Sequence, residues 1–197
     1  VAVLVWVAFG WAAALVPAFL ALAVLLFFRD PEREPHGDDA SVIAPADGRV
    51  VAVEDLPAGH PLAAEAKRRI AIFMSPLDVH VNRSPVSAEV RAVEHRRGSF
   101  RAAYSSEASE VNESNAILLD STDGLRMVVV QIAGWMARRI VCRVAEGSRL
   151  ARGQRFGLIM FGSRVDVYLP DQVKATVVPG DRVRAGSSVI AQARVSL

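Results

Sequence analysis

The chain has 197 residues, 52% of them hydrophobic, and its 23 basic and 21 acidic side chains leave a formal charge of +2. That length fits one membrane segment and one compact domain of about 150 residues, and it excludes a second large domain. One cysteine, Cys142, and four dispersed histidines, His36, His60, His80 and His95, exclude a disulfide framework and a zinc signature, so no metal site is expected.

All the basic residues except Lys67 and Lys174 are arginine. The planar guanidinium suits carboxylates and phosphates, so anionic substrates fit, although a GC-rich genome gives the same bias. No nucleic-acid partner is expected. Cys142 lies in the apolar run 139–144 and reads as a buried structural thiol.

Residues Val1 to Phe28 carry no charge, and about 20 apolar residues suffice to cross a bilayer as a helix. The run passes directly into Phe27-Phe28-Arg29-Asp30-Pro31 without a signal-peptide cleavage site, which reads as a retained anchor at 1–28. Arg29 and Arg33 at its carboxyl end place the following domain on the cytoplasmic side of the cell membrane by the positive-inside rule. Gly10 and Pro17 allow a re-entrant hairpin as the alternative. Residues 29–40, rich in Pro, Gly and charge, read as a linker.

From Ser41 onward, short β-branched runs follow at close intervals: 49–53, 69–73, 79–81, 126–132, 139–144, 156–160, 164–169, 174–178 and 189–195. Turn dipeptides separate them, so residues 41–197 are expected to form a mainly β domain with few short helices. Helical patterns are limited to Leu62–Arg68 and parts of Phe100–Asn115. The pattern Gly147-x-x-Leu150-x-x-Gly153-x-x-Phe156 recurs as Gly180-x-x-Val183-x-x-Gly186-x-x-Val189. Paired turns of this kind suggest a barrel-sandwich-like domain. A carrier of that architecture presents a modifiable lysine between the turns, and neither Lys67 nor Lys174 sits there.

Chemistry concentrates at Phe161-Gly162-Ser163-Arg164. A Gly-Ser pair between strands is ordinarily a turn. It can also undergo an N-to-O acyl shift when a base activates the hydroxyl, and elimination of the resulting ester leaves a pyruvoyl group on the new chain terminus. The segment is not the nucleophile elbow of α/β hydrolases, because Val165 occupies the position of the last glycine.

Five blocks occur in order: Phe28-Arg29-Asp30-Pro31, Ala44-Pro45-Ala46-Asp47-Gly48, Phe73-Met74-Ser75-Pro76-Leu77-Asp78-Val79-His80-Val81-Asn82-Arg83, Ala133-Gly134 with Ala137-Arg138-Arg139-Ile140, and Phe161-Gly162-Ser163-Arg164. Together they resemble the short form of the phosphatidylserine decarboxylase family. The resemblance implies self-cleavage between Gly162 and Ser163, giving a large chain 1–162 and a small chain 163–197. It implies a covalent pyruvoyl cofactor made from Ser163, which forms a Schiff base with membrane phosphatidylserine and yields phosphatidylethanolamine and carbon dioxide.

The same resemblance assigns Asp47 and His80 to maturation. Arg83 stands where the long-form pattern Ser-Pro-x-Asp-x-His-x-x-His has its second histidine, so His80 serves as both maturation base and later proton donor, or shares those jobs with another group. Arg83, Arg138 and Arg139 are candidates for the substrate carboxylate or phosphate; salt bridges beside strands are the other reading. A homo-oligomer is compatible with all of this. Two rivals stay open: the same chemistry on an ether-lipid serine head group (archaetidylserine), and a non-enzymatic membrane-anchored β-barrel module with Ser163 intact.

Overall fold

The computed structural model describes residues 1–100, 111–134, 139–160 and 162–193, with backbone alone at 5, 6, 8, 9 and 11–13. The chain forms two compact units, Val1–Pro31 and Glu32–Leu197.

The first unit is helical. Helix α1 spans Ala2–Phe9 and helix α2 spans Trp11–Phe27, divided at Gly10, whose φ of 85° ends the first helix. Pro17 is accommodated inside α2. Among the described residues no helix is long and apolar enough to cross a membrane. The single crossing helix expected over 1–28 is therefore replaced by two shorter ones, and the break falls where glycine allows a left-handed backbone.

The second unit is mainly β, as the alternating runs predict. Its strands are β1 (Ser41–Ile43), β2 (Gly48–Asp55), β3 (Ala66–Met74), β4 (Val81–Arg83), β5 (Ala88–Arg96), β6 (Ser114–Ser121) and β7 (Arg126–Ile132). They continue as β8 (Ile140–Cys142), β9 (Arg149–Leu150), β10 (Arg155–Ile159), β11 (Ser163–Pro170), β12 (Val173–Ala175), β13 (Arg182–Val183) and β14 (Val189–Ala193). One sheet has the order β13-β2-β3-β11-β7-β6-β5-β9, and two three-stranded sheets have the orders β1-β14-β12 and β4-β10-β8.

The repeated glycine pattern is a structural duplication. Gly147 and Gly180 both adopt positive φ and donate their N–H groups to Val90 O and Val50 O, each at 2.8 Å. Gly153 and Gly186, also at positive φ, donate to Ser84 O and Ala44 O, again at 2.8 Å. Between each pair of glycines a buried residue, Leu150 or Val183, enters the main core. The two loops Ala44–Gly48 and Ser84–Ala88 exchange backbone bonds, Arg83 N–H to Pro45 O and Ile43 N–H to Pro85 O. The two halves thus wrap around each other by the same set of bonds.

Side-chain alternation divides β11. Val165, Val167 and Leu169 join the main core with Val50, Ile70, Ile72 and Val129. Arg164, Asp166 and Tyr168 occupy the opposite face, where Tyr168 packs with Ala63, Ala66, Val128 and Val130. The helix expected over Leu62–Arg68 is not formed. His60 and Ala63 close a tight bridge, and from Ala66 the chain is already strand β3, paired on both sides. The Ala-rich composition that favours helix yields to this pairing. Most of Phe100–Asn115 lies outside the described residues, but Ser114 and Asn115 begin strand β6.

Residues 32–40 lie along the β unit. Glu32 pairs with Arg155 at 2.7 Å, His36 N–H donates to Ser187 O at 3.3 Å, and Asp38 accepts the Ser41 hydroxyl at 2.6 Å.

Candidate active site

Three segments distant in sequence meet where β2, β3 and β11 lie side by side. Ser163 opens β11 opposite Met74, the last residue of β3, while Arg49 of β2 pairs with Phe73. Gly48 is compulsory for this approach. A Cβ there would fall 2.0 Å from Phe73 O.

Gly162 holds φ at 61°, the left-handed region that side chains resist, at the peptide preceding Ser163. Ser163 itself is 0% exposed, and its Oγ donates to Met74 Sδ at 3.3 Å. A thioether accepts weakly, so the hydroxyl is directed without being tied down. Its burial also shields any carbonyl group formed at this position from bulk water.

The Ser75–Asp78 turn follows Met74 directly in the chain. Asp78 Oδ2 accepts both the Ser75 N–H at 2.8 Å and the Ser75 hydroxyl at 2.6 Å. The turn delivers His80, which is 3% exposed, with Nδ1 at 2.8 Å from Asp78 O. A carbonyl oxygen only accepts, so Nδ1 carries a proton, and the neutral form of the ring has its lone pair on Nε2. That is the tautomer a proton acceptor needs.

Asp47 is buried between two partners. Its Oδ1 accepts the Ala185 N–H at 2.7 Å and its Oδ2 pairs with Arg33 at 3.1 Å. The duplicate loop repeats the first contact, with Ser87 Oγ accepting the Arg152 N–H at 3.2 Å. Asp47 therefore occupies a turn-anchoring position and adds a charge that its counterpart lacks. A cleft of about 420 Å³ opens beside it, lined by His36, Asp47, Asp78, Arg182 and Arg184 among others. A lining that combines two acidic and two basic residues suits a head group with charges of both signs.

The other sequence candidates are placed as follows. Arg83 is buried, donates to Gly153 O at 3.2 Å and lays its aliphatic stem over Gly186. Arg139 is exposed, and its carbonyl accepts the Met160 N–H at 3.2 Å. Arg138 lies outside the described residues.

Sequence reading missed a buried chain of amides. Asn115 Nδ2 donates to Gln131 Oε1 at 3.1 Å, Gln131 Nε2 donates to Asn82 Oδ1 at 2.8 Å, and Asn82 Nδ2 points to Met74 Sδ at 3.9 Å. All three amides are buried. The available signal was Gln131 itself, a polar residue in the otherwise apolar strand 127–132.

The opposite face of β11 carries an ion pair. Arg164 Nε lies 2.5 Å and its NH2 group 2.9 Å from the Asp166 carboxylate, and both residues are buried. Tyr168 beside it is pushed upward in pKa, first by burial and then by the Asp166 charge.

Comparison with known proteins decides the family. The model of the family described as "Phosphatidylserine decarboxylase" matches residues 20–191. The chain belongs to the phosphatidylserine decarboxylase family. A family relative from Pelobacter propionicus, named phosphatidylserine decarboxylase proenzyme, is 49% identical over 173 residues, covering 88% of this chain and 78% of its own. Proteins of the same name from Nitrosomonas eutropha and Nitrosomonas europaea are 48% and 46% identical, covering 94% and 98% of this chain and 85% and 88% of their own. The family match takes in the Ala44–Gly48 loop, the Ser75–Arg83 segment and Gly162-Ser163, the three segments that the fold brings together.

Proposed function

We propose that the chain is a proenzyme that cuts itself between Gly162 and Ser163 and then decarboxylates phosphatidylserine to phosphatidylethanolamine, releasing carbon dioxide. The observation that carries this reading is the Gly162-Ser163 junction, with a left-handed, half-buried glycine before a buried hydroxyl, in a chain of this family. The name proenzyme, borne by the relatives, supports a precursor that yields two chains, here 1–162 and 163–197.

In maturation, Ser163 Oγ attacks the Gly162 carbonyl carbon while His80 Nε2 takes the hydroxyl proton. Asp47 supports this step by fixing the loop beside β3 and by its charge. When formed from Ser163, the pyruvoyl group supplies a ketone that bonds the head-group amine and draws off the electrons released with carbon dioxide. The residues around Ser163 fit such a group. Ser163 is buried against the Met74 thioether, and the Asn82 amide donor lies on the same sulfur.

His80 then supplies the proton to the decarboxylated carbon. Arg182 and Arg184 join Arg138 and Arg139 as cations for the substrate phosphate and carboxylate. Arg83, through its bonds to the repeated turns, holds the two halves together.

The reading places the enzyme at the cell membrane with Glu32–Leu197 on the cytoplasmic side, and residues 1–28 as its attachment. The uncharged helices α1 and α2 support it, with Phe19 69% and Leu25 71% exposed, as does the basic flank at Arg29 and Arg33. The barrel-sandwich-like description of residues 41–197 rests on the duplicated glycine turns.

Intact mass of the purified protein, with carbon dioxide release from phosphatidylserine vesicles, tests the function. The expected result is two chains, the smaller of 35 residues (163 to 197) without a free amino terminus, and gas release. A single 21.2 kDa chain that releases none would overturn it.

A further inference from the structure

The amide chain has a direction, and it ends at Met74 Sδ, the atom that also accepts the Ser163 hydroxyl. Gln131 Nε2 donates to Asn82 Oδ1, which fixes the Asn82 amide so that its N–H side faces Met74 Sδ. Gln131 is fixed in turn by Asn115, whose Nδ2 donates to Gln131 Oε1. The ladder has been given space: a Cβ on Gly157 would come within 3.1 Å of Gln131 Nε2. Two polar hydrogens, one on Ser163 Oγ and one on Asn82 Nδ2, thus converge on a single sulfur.

A thioether at 3.9 Å satisfies a buried amide N–H poorly, and a buried donor left poorly satisfied is destabilising. An arrangement this costly, oriented by two further amides, suits a donor whose partner appears only during reaction. We propose that Asn82 supplies the N–H that stabilises the oxygen leaving Ser163 in the second half of self-cleavage. The inference rests on Ser163 being the precursor of the pyruvoyl group.

The step is as follows. After the acyl shift, Ser163 carries Gly162 as an ester on Oγ and a free amine on its own nitrogen. A base removes the Cα proton, the C–H electron pair becomes the Cα=Cβ bond, and the Cβ–Oγ bond breaks with its pair leaving on Oγ. Oγ departs as part of the Gly162 carboxylate. The remaining enamine tautomerises and takes up one water, losing ammonia. Negative charge grows on Oγ in the bond-breaking step, and an N–H held on the same sulfur as the Ser163 hydroxyl, bound there only weakly, is near at hand to turn to it. A donor on Oγ would not help the earlier attack, in which that oxygen must act as a nucleophile. Asn82 therefore separates the two halves of maturation.

The test uses the full chain with Asn82→Leu and Asn82→Asp. Asn82→Asp keeps the shape and the oxygen that accepts from Gln131, but it puts a second acceptor where the N–H was. Both variants are expected to accumulate the ester, a molecule of full-length mass that hydroxylamine splits at residue 162 to release a chain beginning with serine. Loss of one such preorganised donor costs about 10²- to 10³-fold in rate, with Asn82→Asp the slower of the two. Maturation of either variant at the unaltered rate overturns the proposal. So does an uncut chain that hydroxylamine leaves whole, because the block would then precede the ester. Failure of the unaltered chain to cut itself would instead remove the underlying reading of Ser163.

Discussion

Met74 and Ser163 face each other across the β3–β11 ladder, with the serine hydroxyl 3.3 Å from the methionine sulfur. The pairing fixes the hydroxyl on the core side of β11 and opposes it with a weak acceptor. Ser163→Ala forfeits only that weak bond and removes the nucleophile. The variant is expected to fold and to remain one 21.2 kDa chain without carbon dioxide release. Division of Ser163→Ala at this bond would refute the role given to the hydroxyl. The uncut variant also provides the background for the stability measurements below.

Asp47 answers to two partners, and two substitutions separate them. Asp47→Ala leaves the buried Ala185 N–H without its acceptor, which costs about 1–3 kcal/mol in urea unfolding. Asp47→Asn keeps an oxygen for Ala185 and loses the charge facing Arg33, so its stability stays close to that of the parent. In the cleavable chain, Asp47→Asn is expected to slow maturation more than it lowers carbon dioxide release per cut chain. Equal effects on both would assign Asp47 to turnover as well.

His80 is expected to affect both activities. With Nδ1 held by Asp78 O and the lone pair on Nε2, the ring can accept the Ser163 proton and later return one to substrate. His80→Ala should lose about 10²- to 10⁴-fold in maturation and a similar factor per cut chain. Intact mass and carbon dioxide release, measured on the same sample, read the two losses separately. Normal maturation of His80→Ala would move the base to another group.

The Arg164–Asp166 pair predicts a different pattern, confined to stability. Asp166→Ala removes the carboxylate that pairs a buried guanidinium and is expected to cost about 3–5 kcal/mol. Arg164→Met combined with Asp166→Leu removes both charges and recovers most of that loss. Failure of the double variant to recover would show that the pair fixes the conformation of β11 itself.

His60 gives a pH dependence. Its Nδ1 accepts the Leu62 N–H at 3.1 Å, and its ring lies 4.5 Å from that of Tyr168, so the folded protein holds it neutral. Burial lowers its pKa below 6.5, outweighing the nearby Glu94 charge. The unfolded chain binds this proton more readily, so stability falls as pH drops below 6.5 and levels off beneath the folded pKa. Urea midpoints between about pH 7.5 and about pH 5.5 should show this loss, and His60→Gln should flatten it.

The sequence made the site legible through its blocks, because Ala44–Gly48, Ser75–Arg83 and Gly162-Ser163 each carry turn residues and polar groups at recognisable spacing. It also disclosed the duplicated glycine turns, since positive φ is written directly into glycine positions. Strand β5 escaped notice because Glu89, Arg91, Glu94, His95 and Arg96 give it a charged, partly exposed surface without an apolar run. The amide ladder escaped because Asn82, Gln131 and Asn115 are isolated in sequence and meet only through the β6–β7 register and the approach of β4. The resemblance assigns Asp47 a part in maturation, but its anchoring of the Ala185 N–H joins residues far apart in sequence and shows only in the fold.

Strand β11 is hydrogen-bonded to β3 on one side and to β7 on the other, in the interior of the eight-stranded sheet. A cut at its first residue therefore severs the chain without freeing the strand. The two products behave as a split protein whose halves are each other's fold, and their dissociation requires opening both ladders. Unfolding of the cut molecule then changes molecularity: one folded particle gives two chains, and its melting temperature rises with protein concentration as the parent's does not.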